Sequence, residues 1–504
     1  MKFVLTIIIF CCFADGLDAQ KITYSSLAKK ETGNMFFDIL GKFGKDCLIY
    51  KNISKEHFLA RYDQQMQLVE QQQLGFIPDK AFNLDFITYS DFLVGVYQYQ
   101  KNNIIYCYAF RLDSVLSTNI EPIVIDTARI GFYADNKIYN LSFSENKKRI
   151  LVYKRTLKAE QFTQTTKTFN PELLVIDSSS YHQQVNNRRD YMGEPTIDND
   201  GNIIFYHMHE RSQKFGSDSL SLIYKLANET QFESQKIELD RYFIRTPVLK
   251  VDQINKKYII NAYASTTSTG EADGLFTTQI DFSWQPIGSK FNAFTEELKR
   301  AMNTSGYNNT ELPDISPRNI LLKKNNGFML IAESGYTETA RNPNLPLTWG
   351  GFGGSPYGFA NDYYFYDPYS FRYRPWGSNS AYQQVRFHYD NIIMLNIDSS
   401  LHMVTKSMIN KKQSDVETDN FLSFGLFTRL NELHFLFLER DRRRDVLSDH
   451  ALQTDGQLKR YPTISSQETN YEFMPKLGKQ ISARQFIIPF AYLNRIGFAK
   501  IEWP

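Results

Sequence analysis

Between residues 245 and 289, apolar runs alternate with short polar breaks. Residues 246–251 and 258–262 are apolar and β-branched, and a polar turn at 253–257 splits them. Residues 274–280 form a third run, closed by Asp281, and a weaker fourth follows. Runs of this length bounded by turn residues predict four short strands. The unit recurs along the chain. Its third strand is marked by an apolar run ending at Asp63, Asp113, Asp177, Leu226, Asp281, Asp398, Asp455 and Glu502, mostly about fifty residues apart. The interval from Asp281 to Asp398 is about twice as long, so it holds an insertion or a further unit.

A second marker keeps step with the first. Polar turns at 145–147, 199–201, 255–256, 325–327 and 431–432 are each followed at once by an apolar run. Asn and Gly in them tolerate the positive φ that tight hairpins need. The two markers together predict an all-β fold: a β-propeller of eight four-stranded blades, with seven as the alternative. The last unit, near 471–503, shows only three strands. Residues 21–27 are expected to supply its fourth and so close the ring, which removes the open sheet edges of a linear array. An open repeat or two stacked sandwiches is the competing architecture.

Residues 1–19 read as a signal peptide. Lys2 gives the basic start, residues 4–13 the apolar core, and Leu17-Asp18-Ala19 a cleavage site before Gln20. The remainder, 20–504, is expected to be a single propeller domain with an insertion at about 336–390. The expected location is secreted: periplasmic, cell-surface or extracellular. No later run is long enough to span a membrane. Cys47 and Cys107 remain after the signal, and a disulfide and two buried free thiols are both open readings. Lys+Arg number 57 against 55 Asp+Glu, so no nucleic-acid partner is indicated.

In a propeller, the loops from second to third strand and the links between blades leave one rim, and the other hairpins leave the opposite rim. Longer segments at 210–219, 265–273, 292–316, 336–389 and 440–449 all fall in the first class. The largest carries Trp349, Tyr363, Tyr364, Tyr366 and Trp376 among glycines and prolines. Such rings suit a platform for sugar faces or a protein partner, or else a lid packed onto the propeller mouth. Arg440, Arg442 and Arg443, interleaved with acids, are candidates for gripping carboxylate or sulfate, against a self-neutralised solvated loop. Residues 290–303 predict a helix with Phe291, Phe294, Leu298 and Met302 on one stripe and Glu296 paired to Arg300.

Little catalytic chemistry is legible. His207 and His209 share one side of a second strand, but no third zinc ligand accompanies them, which favours a structural role. Asp198-Asn199-Asp200-Gly201 lacks the glutamate of a calcium loop and serves better as a hairpin turn. Glu210, Glu333 and Glu439 lie near second-strand ends, where a pair at suitable separation can run acid/base glycoside chemistry. There is no nucleophile elbow, phosphate-cradling loop or dinucleotide fingerprint. No catalytic residue, cofactor or metal is assigned.

The signal ending in Ala19-Gln20, and the stretch NIIMLNIDSSLHMVTKSMINKKQ from Asn391 after an aromatic Tyr/Gly-rich loop, resemble exported bacterial-envelope β-propeller-like repeat proteins whose function is largely uncharacterised. The resemblance covers the second half of the chain. It implies a propeller-like fold and an envelope or extracellular setting, and maps no catalytic residue. The expected function is a secreted, non-catalytic propeller that binds a protein or glycan through its loop-bearing face. The alternative is a polysaccharide-acting hydrolase or lyase with carboxylates at the propeller mouth.

Overall fold

The computed structural model describes residues 20–27, 35–130, 138–158, 160–186, 190–209, 216–269, 272–302, 315–339, 385–416, 418–441, 444–464 and 470–504. Its strands form eight antiparallel sheets, each in up-and-down order, arranged in a ring as a β-propeller. Blade 1 runs from Phe36–Phe43 to Leu68–Gln73, blade 2 from Phe82–Thr88 to Ile123–Arg129, and blade 3 from Tyr139–Phe143 to Val175–Gln184. Blade 4 spans Asp190–Met192 to Glu233–Ile237, blade 5 Phe243–Asp252 to Pro286–Ala293, and blade 6 Ile315–Leu322 to Met403–Ile409. Blade 7 runs from Gly425–Arg429 to Leu458–Arg460. Blade 8 takes its outer strand from the other end of the chain: Lys21–Tyr24 pairs antiparallel with Arg495–Glu502, from Lys21 opposite Glu502 to Tyr24 opposite Ala499. The predicted count of eight and the predicted closure are both observed.

The core lies between blades. Ile331, Ile392 and Met394 of blade 6 meet Phe435 and Phe437 of blade 7, all at most 1% exposed. Alternation along each strand sends one set of side chains to each neighbouring blade, so a buried second strand such as Lys257–Ser265 is covered on both faces. Cys47 and Cys107 are free and buried in such layers, and burial pushes the Cys47 thiol up to about 12. No helix among the described residues is long and apolar enough to cross a membrane.

The acidic marker has a structural cause. Asp63, Asp113, Asp281 and Asp398 each follow or end a third strand, and one carboxylate oxygen accepts two backbone N–H groups of the turn into the fourth. Three residues after each stands a left-handed, non-glycine residue: Met66, Leu116, Trp284 and Leu401, with φ of 57, 54, 63 and 65°. An L-residue there costs about 1–2 kcal/mol. These four are at most 9% exposed, and burying such side chains contributes about 1.5–3 kcal/mol, which outweighs the strain. In blade 3 the turn residue is Asn170, which accepts from the Leu174 N–H, with Leu173 left-handed. The Asp177 marker is therefore misplaced: it lies in the fourth strand, Val175–Gln184, and forms an ion pair across to Lys225 of blade 4 at 3.1 Å.

Two further expectations are corrected. Residues 440–449 are no excursion, because blade 7 continues to Asp441 and resumes at Arg444, with Arg440 opposite Asp445. The helix is shorter than predicted, Glu296–Met302, because Pro286–Ala293 completes the sheet of blade 5. Phe294, Leu298 and Met302 are buried as expected, while Phe291 belongs to the strand and stacks on Tyr242. Glu296 pairs with Lys299 at 3.2 Å rather than with Arg300.

Some cross-strand pairs leave no room for a β-carbon. Gly95 sits opposite Phe110, and a Cβ on it would stand 2.2 Å from the ring. Gly497 repeats the arrangement opposite Phe490, at 2.4 Å. Gly95→Ala is expected to displace the Phe110 ring from the layer between blades 1 and 2 and to cost about 1–3 kcal/mol, read as a lowered denaturant midpoint. An unchanged midpoint would show that the ring has somewhere else to go.

Candidate functional site

Where blades 6, 7, 8 and 1 meet the ring axis, their innermost strands surround a cavity of about 250 Å³. Asp38, Asn319, Thr428, Lys479 and Gln480 supply polar groups to it, and Phe37, Leu321 and Leu426 apolar surface. Gln480 is committed to the neighbouring blade: its side chain accepts from the Thr428 N–H at 3.1 Å and donates to the Thr428 carbonyl at 2.8 Å. Lys476 forms the wall between this cavity and a buried charged network.

That network is centred on Glu333, 1% exposed, on the second strand of blade 6. Its carboxylate accepts from Arg318 on the first strand, from Lys411 at 2.7 Å, and from the Ser423 hydroxyl at 2.6 Å at the entry to blade 7. Burial raises the carboxyl pKa, but the charges of Arg318 and Lys411, with the Lys411 and Ser423 hydrogen bonds, outweigh that and hold it below the usual range. Lys411 is itself pulled down by burial against the opposing attraction of Glu333. It also donates to Gln413 at 2.8 Å and to the Tyr389 carbonyl at 3.1 Å. Tyr389 ties in the next pair. Its hydroxyl donates to Asp419 at 2.9 Å, Lys476 of blade 8 meets the same carboxylate at 2.6 Å, and the cations of Arg318 and Lys476 lie 5.4 and 5.7 Å from its ring centre. Nearby Asp390 is 1% exposed with neither oxygen hydrogen-bonded. The arrangement locks three consecutive blades together through desolvated charges, whose attraction is strong because water is excluded.

The predicted site residues fall unevenly. Trp349, Tyr363, Tyr364, Tyr366, Trp376, Arg442, Arg443 and Glu210 lie outside the described residues. Arg440 is exposed near the end of the second strand of blade 7. Glu333 and Glu439 do not form a catalytic pair by any shared contact. Glu333 is enclosed as above, whereas Glu439 accepts from Ser448 at 2.6 Å and pairs with Arg460 on the outermost strand at 2.5 Å. His207 and His209 do share a side, and both reach one oxygen of Asp190, at 3.1 and 2.5 Å. Burial raises the Asp190 pKa, but the Asn186 N–H and the two imidazoles hold it below the usual range. The three form a hydrogen-bonded clasp, and among the described residues no group of three or more His, Cys, Asp or Glu side chains is placed to hold a metal ion. The Asp198–Gly201 turn is a hairpin as expected, with the Asp198 carboxylate taking the N–H groups of Asp200, Gly201 and Asn202.

Reading the chain alone missed Arg318, Lys411, Asp419 and Lys476. Each stands singly, and only the ring brings blade 6 to blades 7 and 8. The one local signal was Lys476 and Lys479 bracketing Gly478 near the start of the last unit.

No family model matches the chain, and no curated protein matches it. Solved structures with a related arrangement of strands include prolyl oligopeptidase B from Galerina marginata in its apo form, with a TM-score of 0.41 and 8% identity over 90% of this chain. This chain covers 55% of that protein's length. A protein from Lactobacillus plantarum gives 0.39 and 9% over 85% of this chain and 95% of its own. The polysaccharide lyase Uly1 gives 0.35 and 10% over 83% and 89%. At these values nothing passes from those proteins to this one. What fold and site define together is a closed eight-bladed β-propeller with a polar axial cavity beside a buried charge network.

Proposed function

We propose that this is an exported binding propeller that takes a protein or glycan partner on one sector of its loop-bearing rim. The observation that carries the reading is where the long connections fall. Residues 210–218, 266–273 and 340–384 join second to third strands in blades 4, 5 and 6, and 294–314 links blade 5 to blade 6. In blades 1, 2 and 8 the same connection is a tight hairpin, closed at Ser54-Lys55, Asn102-Asn103 and Leu493-Asn494, and in blades 3 and 7 the strands end at Lys158 and Asp441 and resume at Gln161 and Arg444. Long second-to-third-strand connections on three consecutive blades of a rigid ring can present a binding surface while leaving the ring's own stability untouched. The aromatic residues Trp349, Tyr363, Tyr364, Tyr366 and Trp376 belong to the longest of these connections and would supply flat contact area, with Arg440, Arg442 and Arg443 of the adjoining blade as a polar rim. Export is part of the proposal. Cleavage before Gln20 would leave the closing strand Lys21–Tyr24 intact.

The test replaces residues 343–382 by a short Gly/Ser linker, which spares both flanking strands, and compares capture of soluble glycans and envelope proteins. Binding weakened by about tenfold or more, with the melting temperature unchanged, is the expected result, since aromatic anchors carry most of an interface's energy. Undiminished capture by the shortened chain would remove the reading.

A further inference from the structure

The opposite rim carries a charge pattern that the loop-bearing rim does not explain. Here the hairpins from first to second strand encircle the channel and are bonded to their neighbours. The Gly44 N–H donates to the Ser90 carbonyl at 2.9 Å, Lys147 to the Thr88 carbonyl at 2.8 Å, the Asn146 N–H to Asn199 at 2.9 Å, and Asn255 to the Lys323 carbonyl at 3.0 Å. These bonds tie the rim from blade 1 through blade 4 and from blade 5 to blade 6. Exposed on this inner ring are Lys45, Lys148, Lys256, Lys324 and Arg484, from blades 1, 3, 5, 6 and 8, against the acids Asp91, Glu145 and Asp200. Deeper in, Lys147 is held below the usual lysine range by burial and by the positive charge of Lys479. Lys479 in turn lines the axial cavity.

Outside this ring, the turns from third to fourth strand place Asp63, Asp113, Asp281, Asp398 and Asp455 on the same rim. The rim is thus concentric, positive at the mouth and negative at the periphery, in a chain whose net charge is only +2. A wide anionic surface, a nucleic-acid duplex or a bilayer, would meet the outer carboxylates together with the lysines. A narrow anion stays clear of the outer carboxylates and meets an inner ring in which five exposed cations outnumber three acids, with Asp38 and Lys479 at the cavity below, and the low-dielectric walls of the channel concentrate the net positive field. We propose that the channel mouth on this hairpin rim binds a compact, multiply charged anion, a phosphate ester or a polycarboxylate, with Lys147 and Lys479 as its inner contacts. Lysines suit such a ligand as point charges on flexible stems.

The full chain is to be titrated calorimetrically with inorganic pyrophosphate and with citrate, at about 20 and about 150 mM salt. Saturable binding of pyrophosphate assigns the phosphate class and of citrate the carboxylate class. Either is expected to weaken at the higher salt, and by about tenfold in Lys147→Gln or Lys479→Gln, the loss of one charge-assisted contact. Because those lysines also donate to backbone carbonyls, Lys45→Glu/Lys148→Glu, at exposed positions, tests the same field with less risk to folding. Lys406→Gln, on the outer strand of blade 6 and paired with Glu297, should leave binding unchanged. No saturable binding of either probe at low salt overturns the proposal. So does binding that all three mouth variants leave intact, or tighter binding of a DNA duplex than of both small anions. Removing residues 343–382 should not affect this binding, so the two sites fail or stand separately.

Discussion

Glu333→Gln is expected to lower the stability of the ring by about 3–5 kcal/mol, the cost of leaving buried cations without their counter-charge. Glutamine keeps the shape of the side chain but not its charge, so Arg318 and Lys411, 3% and 1% exposed in their side chains, would lose the carboxylate they share. The neighbouring Asp390 carboxylate attracts Lys411 and offsets part of this loss. The same network sets an acid limit. The Glu333 pKa is lowered on folding, so its contribution is complete above the unfolded-state value, about 4.3, and is lost as pH falls through the lower folded value. Thermal melts of the wild type should therefore lose stability on acidification below that range, and the Gln variant should lack this part of the loss. A variant that melts with the wild type at neutral pH would show that the network is not what holds blades 6 and 7 together.

The second large effect concerns closure. A chain beginning at residue 28 lacks the outer strand of blade 8, and with it four paired residues and the half-buried Ile22 and Tyr24, which pack on the layer containing Phe490 and Trp503. The Tyr24 ring meets those of Tyr471 and Phe490 edge-on at 5.3 and 5.5 Å. Two half-buried side chains at about 1 kcal/mol each, roughly half the value for full burial, with the ladder bonds at about 1 kcal/mol each, put the loss on the order of 5 kcal/mol. The exposed edge of Arg495–Glu502 should also promote association between molecules. Size-exclusion chromatography should show oligomers, and a synthetic peptide of residues 20–27 added in trans should restore both monomer and melting temperature. Restoration by a scrambled peptide, or a truncated chain as stable as the whole, would defeat this account.

Both effects come from contacts between distant parts of the chain, yet they differ in how visible they were beforehand. The missing strand of the last unit was an accounting gap, and Lys21–Tyr24 filled it because a β-sheet needs a partner for each inner strand. The turn acids were equally plain, since Asp63 or Asp281 acts within its own hairpin. Asp177 misled because an apolar run ending in an acid looks alike at the close of a third strand and within a fourth. The left-handed Met66, Leu116, Trp284 and Leu401 went unrecognised because turn chemistry favours Gly or Asn at positive φ. Only burial between blades compensates for a large apolar residue there.

What the amino-acid order determined by itself was everything local and periodic: strands from alternation, hairpins from Asn, Gly and Asp, and a repeat that counts eight blades. What only the tertiary structure decided was which isolated charges meet. Arg318, Glu333, Lys411, Asp419 and Lys476 gain their energies from being desolvated together, and desolvation depends on what the ring packs around each of them. The concentric charge of the hairpin rim has the same origin, because turns far apart in the chain become neighbours only when the ring closes.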